Sequence, residues 1–196
     1  MSEFFTVTDM RSASLKEQRS EFIAFLYPAE TAEQAKKLYP AHCEQHSNAT
    51  HNCYAYILGS KQELQYYSDQ GEPSGTAGKP ILNMLLRYKM TNVLAVVTRY
   101  FGGVKLGVRG LIEAYGNAVE QVILSAPLQP YWLMMETNIE CEYAQLDRIK
   151  HFLHTHQGEV SVTDFAQKVK ATLSYPQEQA EIVAEYLADL RQQERS

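Results

Sequence analysis

Two glycine-rich segments carry the residue types in this sequence that are best suited to chemistry. The first spans residues 69–80 and the second spans residues 98–110, and each runs into a stretch whose apolar residues recur at helical spacing. Free backbone amides and the positive end of the helix dipole can hold a phosphate or a carboxylate at such a helix start. We therefore predict that the two loops fold side by side and turn their amides, with Arg99 and Lys105, toward a shared anion. The candidate anion- or nucleic-acid-binding residues are Asp69, Gly71, Glu72, Ser74, Gly75, Thr76, Gly78, Lys79, Arg99, Tyr100, Phe101, Gly102, Gly103, Lys105, Gly107 and Arg109.

A glycine more often serves a tight turn or close packing, and that interpretation stays open for both loops. Neither loop matches a P-loop, because no Gly-Lys-Ser or Gly-Lys-Thr ending follows at the required spacing. A Gly-x-Gly-x-x-Gly pattern after a strand is missing as well, so a nucleotide-hydrolysing motor is disfavoured. Tyr100 and Phe101 could stack on bases, but burial in the core is favoured for such large rings.

The charge distribution singles out the same region. The net charge is −5, yet residues 1–126 hold 12 basic and 12 acidic residues, and residues 127–196 hold 6 and 11. The forty residues from Pro73 to Ile112 contain six Lys or Arg side chains and no Asp or Glu. This locally cationic segment inside an acidic protein favours an anionic ligand or nucleic acid.

Other catalytic or metal chemistry receives less support from the sequence. Ser74 has no accompanying histidine, which argues against a nucleophilic triad. The rival to a binding function is an enzyme acting on a small phosphate- or carboxylate-bearing substrate, with Asp69 or Glu72 as general base. Five potential metal ligands cluster within twelve residues at irregular spacing, so we predict neither a metal site nor a cofactor. These five are His42, Cys43, His46, His51 and Cys53.

The elements that must position the loops read β-α-β-β-α-β-α in the first part of the chain. Thr31, with Gln34 three residues on, predicts the start of a helix that Pro40 kinks or ends. A helix is also predicted after each glycine-rich loop, the first with Thr76 as its N-cap and the second ending before Pro127. The strands are predicted at residues 22–27, 52–58, 64–68 and 93–97, the last buried on both faces.

The sequence pattern changes after Pro127, which places the predicted domain boundary between residues 126 and 127. The remainder reads β-α-β-β-α, as in ferredoxin-like domains with helices on one side of the sheet. Only residues 191–196 follow the last predicted helix, so the fourth strand of that fold is predicted to be missing or frayed. The predicted fold class is α+β with two domains, 1–126 and 127–196. The elements of the second domain are predicted at residues 136–143, 146–153, 160–162, 165–173 and 182–190.

Composition bounds the cellular setting. Hydrophobic residues make up 45% and charged residues 21% of the 196 residues, as in ordinary globular proteins. No run approaches the roughly 18 apolar residues of a membrane span, and the start of the chain lacks a signal sequence. The three scattered cysteines suit reduced thiols better than a disulfide framework. A cytoplasmic protein without a membrane partner is therefore expected.

The glycine-rich loops also resemble the signature of a known family. Residues 71–78 read Gly-Glu-Pro-Ser-Gly-Thr-Ala-Gly, and residues 97–107 read Val-Thr-Arg-Tyr-Phe-Gly-Gly-Val-Lys-Leu-Gly. Both are similar to motifs of the IMPACT family and its bacterial members, and residues 51–56 with Ala114 and Tyr115 fit as well. The motifs are long and unusual, and the resemblance covers nearly the whole chain.

This resemblance implies a fold and a general role. It implies an N-terminal domain like domain IV of elongation factor G and like the second domain of a small-subunit ribosomal protein, followed by a ferredoxin-like domain similar to domain V of that factor. Eukaryotic relatives are linked to translational control but carry a different partner domain, so only a general tie to translation or ribosome-associated RNA carries over. No catalytic residue carries over. The chain departs from the family pattern at Gln70, Arg109 and Glu113, where the family has an acid, a glycine and a basic residue.

The leading functional hypothesis is a non-catalytic, translation-associated protein that binds the ribosome, its RNA or a translation-related protein partner. The N-terminal domain is the better RNA surface, with Tyr100 and Phe101 beside the basic residues. The predicted open face of the second sheet instead shows Glu136, Glu140 and Lys170 and no aromatic side chain for stacking. An enzyme at the same surface and a pure protein adaptor remain the alternatives.

Overall fold

In the computed structural model, residues 4–165 and 168–193 are described. The chain packs as two compact units that divide between Tyr131 and Trp132. The division falls a few residues beyond the predicted boundary because the strand Gln129–Tyr131 pairs with the first strand of the chain.

The N-terminal unit is built on a five-stranded antiparallel sheet of strand order β2-β3-β6-β4-β5. β6 is buried almost throughout, which confirms the prediction of a central strand. A separate short pair joins β1 and β7. The elements are β1 Phe4–Thr6, β2 Arg11–Glu17, β3 Ser20–Pro28, α1 Ala32–Gln45, β4 His51–Leu58, β5 Leu64–Ser68, α2 Gly78–Arg87, β6 Val93–Tyr100, α3 Gly107–Leu124 and β7 Gln129–Tyr131.

The alternation of side chains along the central strands divides the core between two faces. Phe22 and Ala24 of β3 and Cys53 of β4 pack with Ile81 of α2 and Tyr115 of α3 in one large cluster. The opposite face packs against α1 in a smaller cluster. Successive residues of a strand point to opposite faces, so one strand supplies both clusters. The glycine-rich loops precede α2 and α3 and therefore lie on the side of the larger cluster.

Helix α1 confirms one local prediction and corrects another. Thr31 and Gln34 form the predicted capping box at its start. The helix continues past Pro40 to Gln45, so the proline does not end it. A proline removes one hydrogen bond, and the tertiary packing of α1 outweighs that loss.

The hairpin of β2 and β3 was not predicted from the sequence. Its turn consists of Gln18 and Arg19, with φ of 42° and 68°. Two successive residues at positive φ fit a type I′ turn, which is normally signalled by Asn or Gly. Since neither residue type is present, the sequence shows no turn signal at this position.

A buried histidine lies between α1 and the sheet. The Tyr27 hydroxyl lies 2.8 Å from Nδ1 of His42, and Thr98 Oγ1 lies 2.7 Å from its Nε2. Thr98 donates its own proton to Oδ1 of Asn52, so it accepts from His42, whose proton is on Nε2. Burial and the neighbouring His46 lower the pKa of His42 to about 4. His42 is therefore a neutral part of the core.

The C-terminal unit is a three-stranded antiparallel sheet of order β8-β10-β9 with two helices. This is the ferredoxin-like arrangement without its fourth strand among the described residues, and residues 194–196 of the predicted tail lie outside them. The two-domain α+β class is confirmed. Phe165, predicted in the last strand, ends β9 instead. The elements are β8 Met134–Cys141, α4 Tyr143–Thr155, β9 Glu159–Phe165, β10 Val169–Pro176, a 3-10 turn Gln177–Gln179 and α5 Ala180–Gln193.

Candidate functional site

The first glycine-rich loop wraps around the carboxylate of Asp69. Its Oδ2 accepts a hydrogen bond from the amide of Gly75 at 2.9 Å. Its Oδ1 accepts from the amides of Ala77 at 3.0 Å and Gly78 at 2.8 Å. Asp69 therefore caps the start of α2 from outside the helix. The prediction that these amides meet an external anion is wrong, because an internal carboxylate already occupies them.

The start of α2 also differs from the predicted one. The N-cap position is Ala77, not Thr76, whose hydroxyl donates to the carbonyl of Pro73 at 2.7 Å. Gly78 is required by close packing, because a Cβ there would lie 2.7 Å from the backbone of Ser68. The interpretation of this glycine as a packing residue is therefore correct.

The two glycine-rich loops border a common cleft, as predicted. The cleft has a volume of about 420 Å³. Its lining residues come from both loops, from the start of β4 and from the first turns of α3. They are Thr50, His51, Glu72, Pro73, Arg99, Phe101, Lys105, Leu106, Gly107, Val108 and Leu111.

A buried ion pair lies at this cleft. Nη1 of Arg99 donates to Oε1 of Glu72 at 2.6 Å, and the two side chains are only 6% and 4% exposed. The Arg99 guanidinium also lies between two rings, 5.3 Å from the centroid of Phe22 and 5.2 Å from that of Phe101. The expectation that Arg99 reaches an external phosphate is therefore wrong, since its charge is matched within the protein.

Two further buried groups, one from α3 and one from β4, bind the first loop. The hydroxyl of Tyr115 donates to Oε1 of Glu72 at 2.8 Å, and the Cys53 thiol donates to the carbonyl of Asp69 at 2.9 Å. Burial raises the pKa of Tyr115 and raises that of Cys53 to about 12. Both groups stay protonated near neutral pH, so Cys53 is a packing residue and not a nucleophile.

His51 lines the cleft, whereas the sequence analysis considered it only as a potential metal ligand and as part of a family motif. Its Nδ1 lies 2.9 Å from the carbonyl oxygen of Gln70. A carbonyl can only accept, so Nδ1 carries a proton and Nε2 of the neutral ring keeps its lone pair. Nε2 lies 3.9 Å from Oε1 of Glu72. His51 faces Arg99 across the β4–β6 pair, so the pairing of these two strands was the signal that could have placed it.

The cations of the acid-free stretch are distributed differently from the prediction. Arg109 pairs with Glu113 at 2.9 Å, and Arg87 lies 3.6 Å from a carboxylate oxygen of Glu120. These acids lie just beyond the counted stretch in sequence but beside it in space. Lys105 lines the cleft and, within residues 4–165 and 168–193, has no salt-bridge partner.

The start of α3 adds to the positive character of the cleft. Leu106 at its N-cap supplies no side-chain hydrogen bond, and the first turn contains no acidic residue. The first amides of a helix lack partners within the helix, and the helix dipole is positive there. Unlike the start of α2, this helix start is capped by no carboxylate from the described residues.

The structure brings together only part of the predicted set of site residues. Tyr100 points toward α1, where its hydroxyl lies 2.9 Å from Nδ1 of His46. Phe101 is 44% exposed, so the expectation of core burial is wrong for this ring. The predicted residues that line the cleft are Glu72, Arg99, Phe101, Lys105 and Gly107. Those that are not lining residues are Asp69, Gly71, Ser74, Gly75, Thr76, Gly78, Lys79, Tyr100, Gly102, Gly103 and Arg109.

Metal-site and membrane features are absent from the described part of the chain. Among those residues, no three His, Cys, Asp or Glu side chains converge as a metal site would require. None of the helices built from them is long and apolar enough to cross a membrane.

Together the fold and the site define a class of protein. Its first domain is an antiparallel sheet domain whose two glycine-rich loops enclose a buried Arg-Glu pair. Its second domain is ferredoxin-like, with three strands in its sheet among the described residues. Residues 18–123 match the family model of the Impact N-terminal domain, and residues 139–192 match that of a domain of unknown function, DUF1949.

The comparison with known proteins identifies the family. The IMPACT family member YvyE of Bacillus subtilis (strain 168) is 33% identical over 190 residues, covering 97% of this chain and 88% of the relative. YigZ of Escherichia coli (strain K12) is 35% identical over 175 residues, covering 88% and 84%. A crystal structure of a hypothetical protein is similar with a TM-score of 0.66 and 31% identity, covering 96% of this chain and 93% of that one. The chain belongs to the IMPACT family, which confirms the resemblance.

Proposed function

We propose that this protein is a cytoplasmic, translation-associated binding protein that holds single-stranded RNA at the cleft between its glycine-rich loops. Membership of the IMPACT family supports the tie to translation. The proposal rests on one observation. Lys105 and the uncapped start of α3 lie at the same cleft. An ammonium group and free helix amides are the donors that phosphate groups prefer.

The exposed ring of Phe101 supports RNA over a small inorganic anion. One side of this ring lies against the Arg99 guanidinium, 5.2 Å away, while 44% of the residue is exposed. A ring fixed in this way can stack on a base, which contributes about 1–3 kcal/mol in single-strand binding proteins. RNA recognition of this kind combines stacking with contacts to phosphate.

Salt dependence of binding tests the proposal. We expect the affinity for a short single-stranded RNA to fall as salt rises, and Lys105→Ala to weaken binding and reduce the slope by about 0.7. The expected loss is about 1 kcal/mol, or roughly fivefold in Kd. Fluorescence anisotropy at several salt concentrations measures both quantities.

Lys79→Ala is the matched control. Lys79 is exposed and belongs to the same acid-free stretch, but it does not line the cleft. Binding at the cleft predicts little effect of this change, whereas a diffuse cationic surface predicts equal losses for Lys79 and Lys105. Affinity that is independent of salt, or equal losses in the two variants, would contradict the proposal.

A second candidate is an enzyme that acts on a small anionic substrate in the same cleft. The position of His51 favours this candidate. Its Nε2 lies at the cleft without a hydrogen-bond partner among the described residues and could act as a general base. Asp69 is a poor base since it accepts three backbone hydrogen bonds, and Oε1 of Glu72 is engaged by Arg99 and Tyr115. A screen of phosphorylated and carboxylated metabolites tests this candidate, and turnover that survives His51→Ala would exclude the assignment.

A further inference from the structure

Two hydrogen-bond acceptors lie close together at the cleft. Nε2 of His51 and Oε1 of Glu72 are 3.9 Å apart, and both residues line the cleft. The carbonyl of Gln70 accepts from Nδ1 of His51, which leaves Nε2 as the ring nitrogen that can accept a hydrogen bond at this position. Oε1 already accepts from Arg99 and Tyr115, so Nε2 of His51 is the acceptor of this pair that a donor group of a ligand can reach.

The chemistry around this acceptor pair selects a neutral donor. Arg99 already neutralises Glu72 at 2.6 Å, and Tyr115 donates to the same oxygen. A cationic ligand would therefore meet a carboxylate whose charge is balanced, beside the positive Lys105. A hydroxyl group can donate to Nε2 of His51 without bringing a second positive charge.

Other residues of the cleft indicate which kind of ligand carries this hydroxyl. Lys105 and the start of α3 suit a phosphate, and the half-exposed Phe101 suits a base. Among ligands that carry both a base and a phosphate, a ribonucleotide supplies such a donor in its 2′-hydroxyl. We propose that His51 accepts a hydrogen bond from this hydroxyl and so makes the cleft selective for RNA over DNA. The inference rests on the proposed function, since it assigns one contact within the same RNA site.

Three oligonucleotides of one sequence test the inference: RNA, DNA and 2′-O-methyl RNA, the last with the hydroxyl proton replaced. We expect wild-type protein to bind RNA about five- to tenfold more tightly than either analogue, the worth of one hydrogen bond to a site built for it. His51→Ala should lower RNA affinity to the DNA level and leave DNA affinity unchanged. Lys105→Ala should lower the affinities for all three strands by the same factor.

The outcomes separate this inference from the proposed function. Equal, salt-dependent binding of all three strands would overturn the role of the hydroxyl and leave the proposed function standing. No binding of any strand would overturn both. Equal losses for RNA and DNA in His51→Ala would assign His51 a general role and refute selectivity through it. Equal binding of RNA and its two analogues by the wild-type protein would overturn selectivity for the hydroxyl even where His51→Ala fails to fold.

Discussion

Acid should destabilise the N-terminal unit through His42. The ring donates from Nε2 to Thr98 and accepts at Nδ1 from Tyr27, so it is satisfied only while neutral. The native pKa is about 4 against an ordinary value of 6.5, because burial and then His46 disfavour the charged form. The unfolded chain therefore takes up a proton at a higher pH than the native protein, and stability falls as pH drops from 6.5 toward 4.

The magnitude follows from the gap between the two pKa values. The gap of about 2.5 units, 6.5 less about 4, corresponds to about 3 kcal/mol at about 1.4 kcal/mol per unit. By pH 5 the unfolded side chain is almost fully charged while the native ring is mostly neutral, so about 2 kcal/mol is lost. His42 is only 2% exposed, so little of this effect is screened by solvent.

Urea unfolding between pH 7.5 and pH 4.5 measures the effect, with the amide signals of β4 and β6 reporting on the N-terminal unit alone. His42→Gln is the informative variant, because its side-chain amide can still donate to Thr98 but does not titrate. The variant should be less stable at neutral pH and should show a shallower loss of stability on acidification. Identical pH slopes, or a native His42 that titrates near its ordinary value, would refute the reasoning.

Two further outcomes follow from the loops. Asp69→Asn should lower the free energy of unfolding by about 2–3 kcal/mol, because its side-chain amide cannot accept from all the backbone donors that the carboxylate serves; an unchanged urea midpoint would contradict this. A thiol reagent at pH 8 should label the half-buried Cys43 well before Cys53, whose pKa is about 12; labelling of Cys53 in the native protein at a similar rate would contradict its assigned role.

Much of the fold could be predicted from local patterns. The central position of β6 follows from its unbroken apolar run, and the start of α1 follows from Thr31 and Gln34. The first hairpin could not be predicted, since its turn uses Gln18 and Arg19 where Gly or Asn would have given a signal. The short strands β1 and β7 pair although they lie at opposite ends of the sequence of the N-terminal unit. No local sequence pattern indicates such a contact.

The meeting of the two loops at one cleft was predictable, but the contacts of the side chains there were not. The meeting of the two loops follows from their positions before α2 and α3, which pack on one face of the sheet. Which acid neutralises Arg99 could not be predicted, because Glu72 is distant in sequence and its orientation depends on the loop around Asp69. Spacing along a chain does not show whether a cation faces solvent or an internal partner.

The pairing of β4 with β6, which sets His51 opposite Arg99, also bears on how genetic data from this protein should be interpreted. Glu72 and Arg99, which line the cleft, and Tyr115, which donates to Glu72, are all buried, so most substitutions at these positions should lower the amount of protein in the cell. A loss-of-function screen would rank these positions highest for reasons of abundance. The exposed Lys105 also lines the cleft, and it would score weakly in that screen even though the proposed binding depends on it.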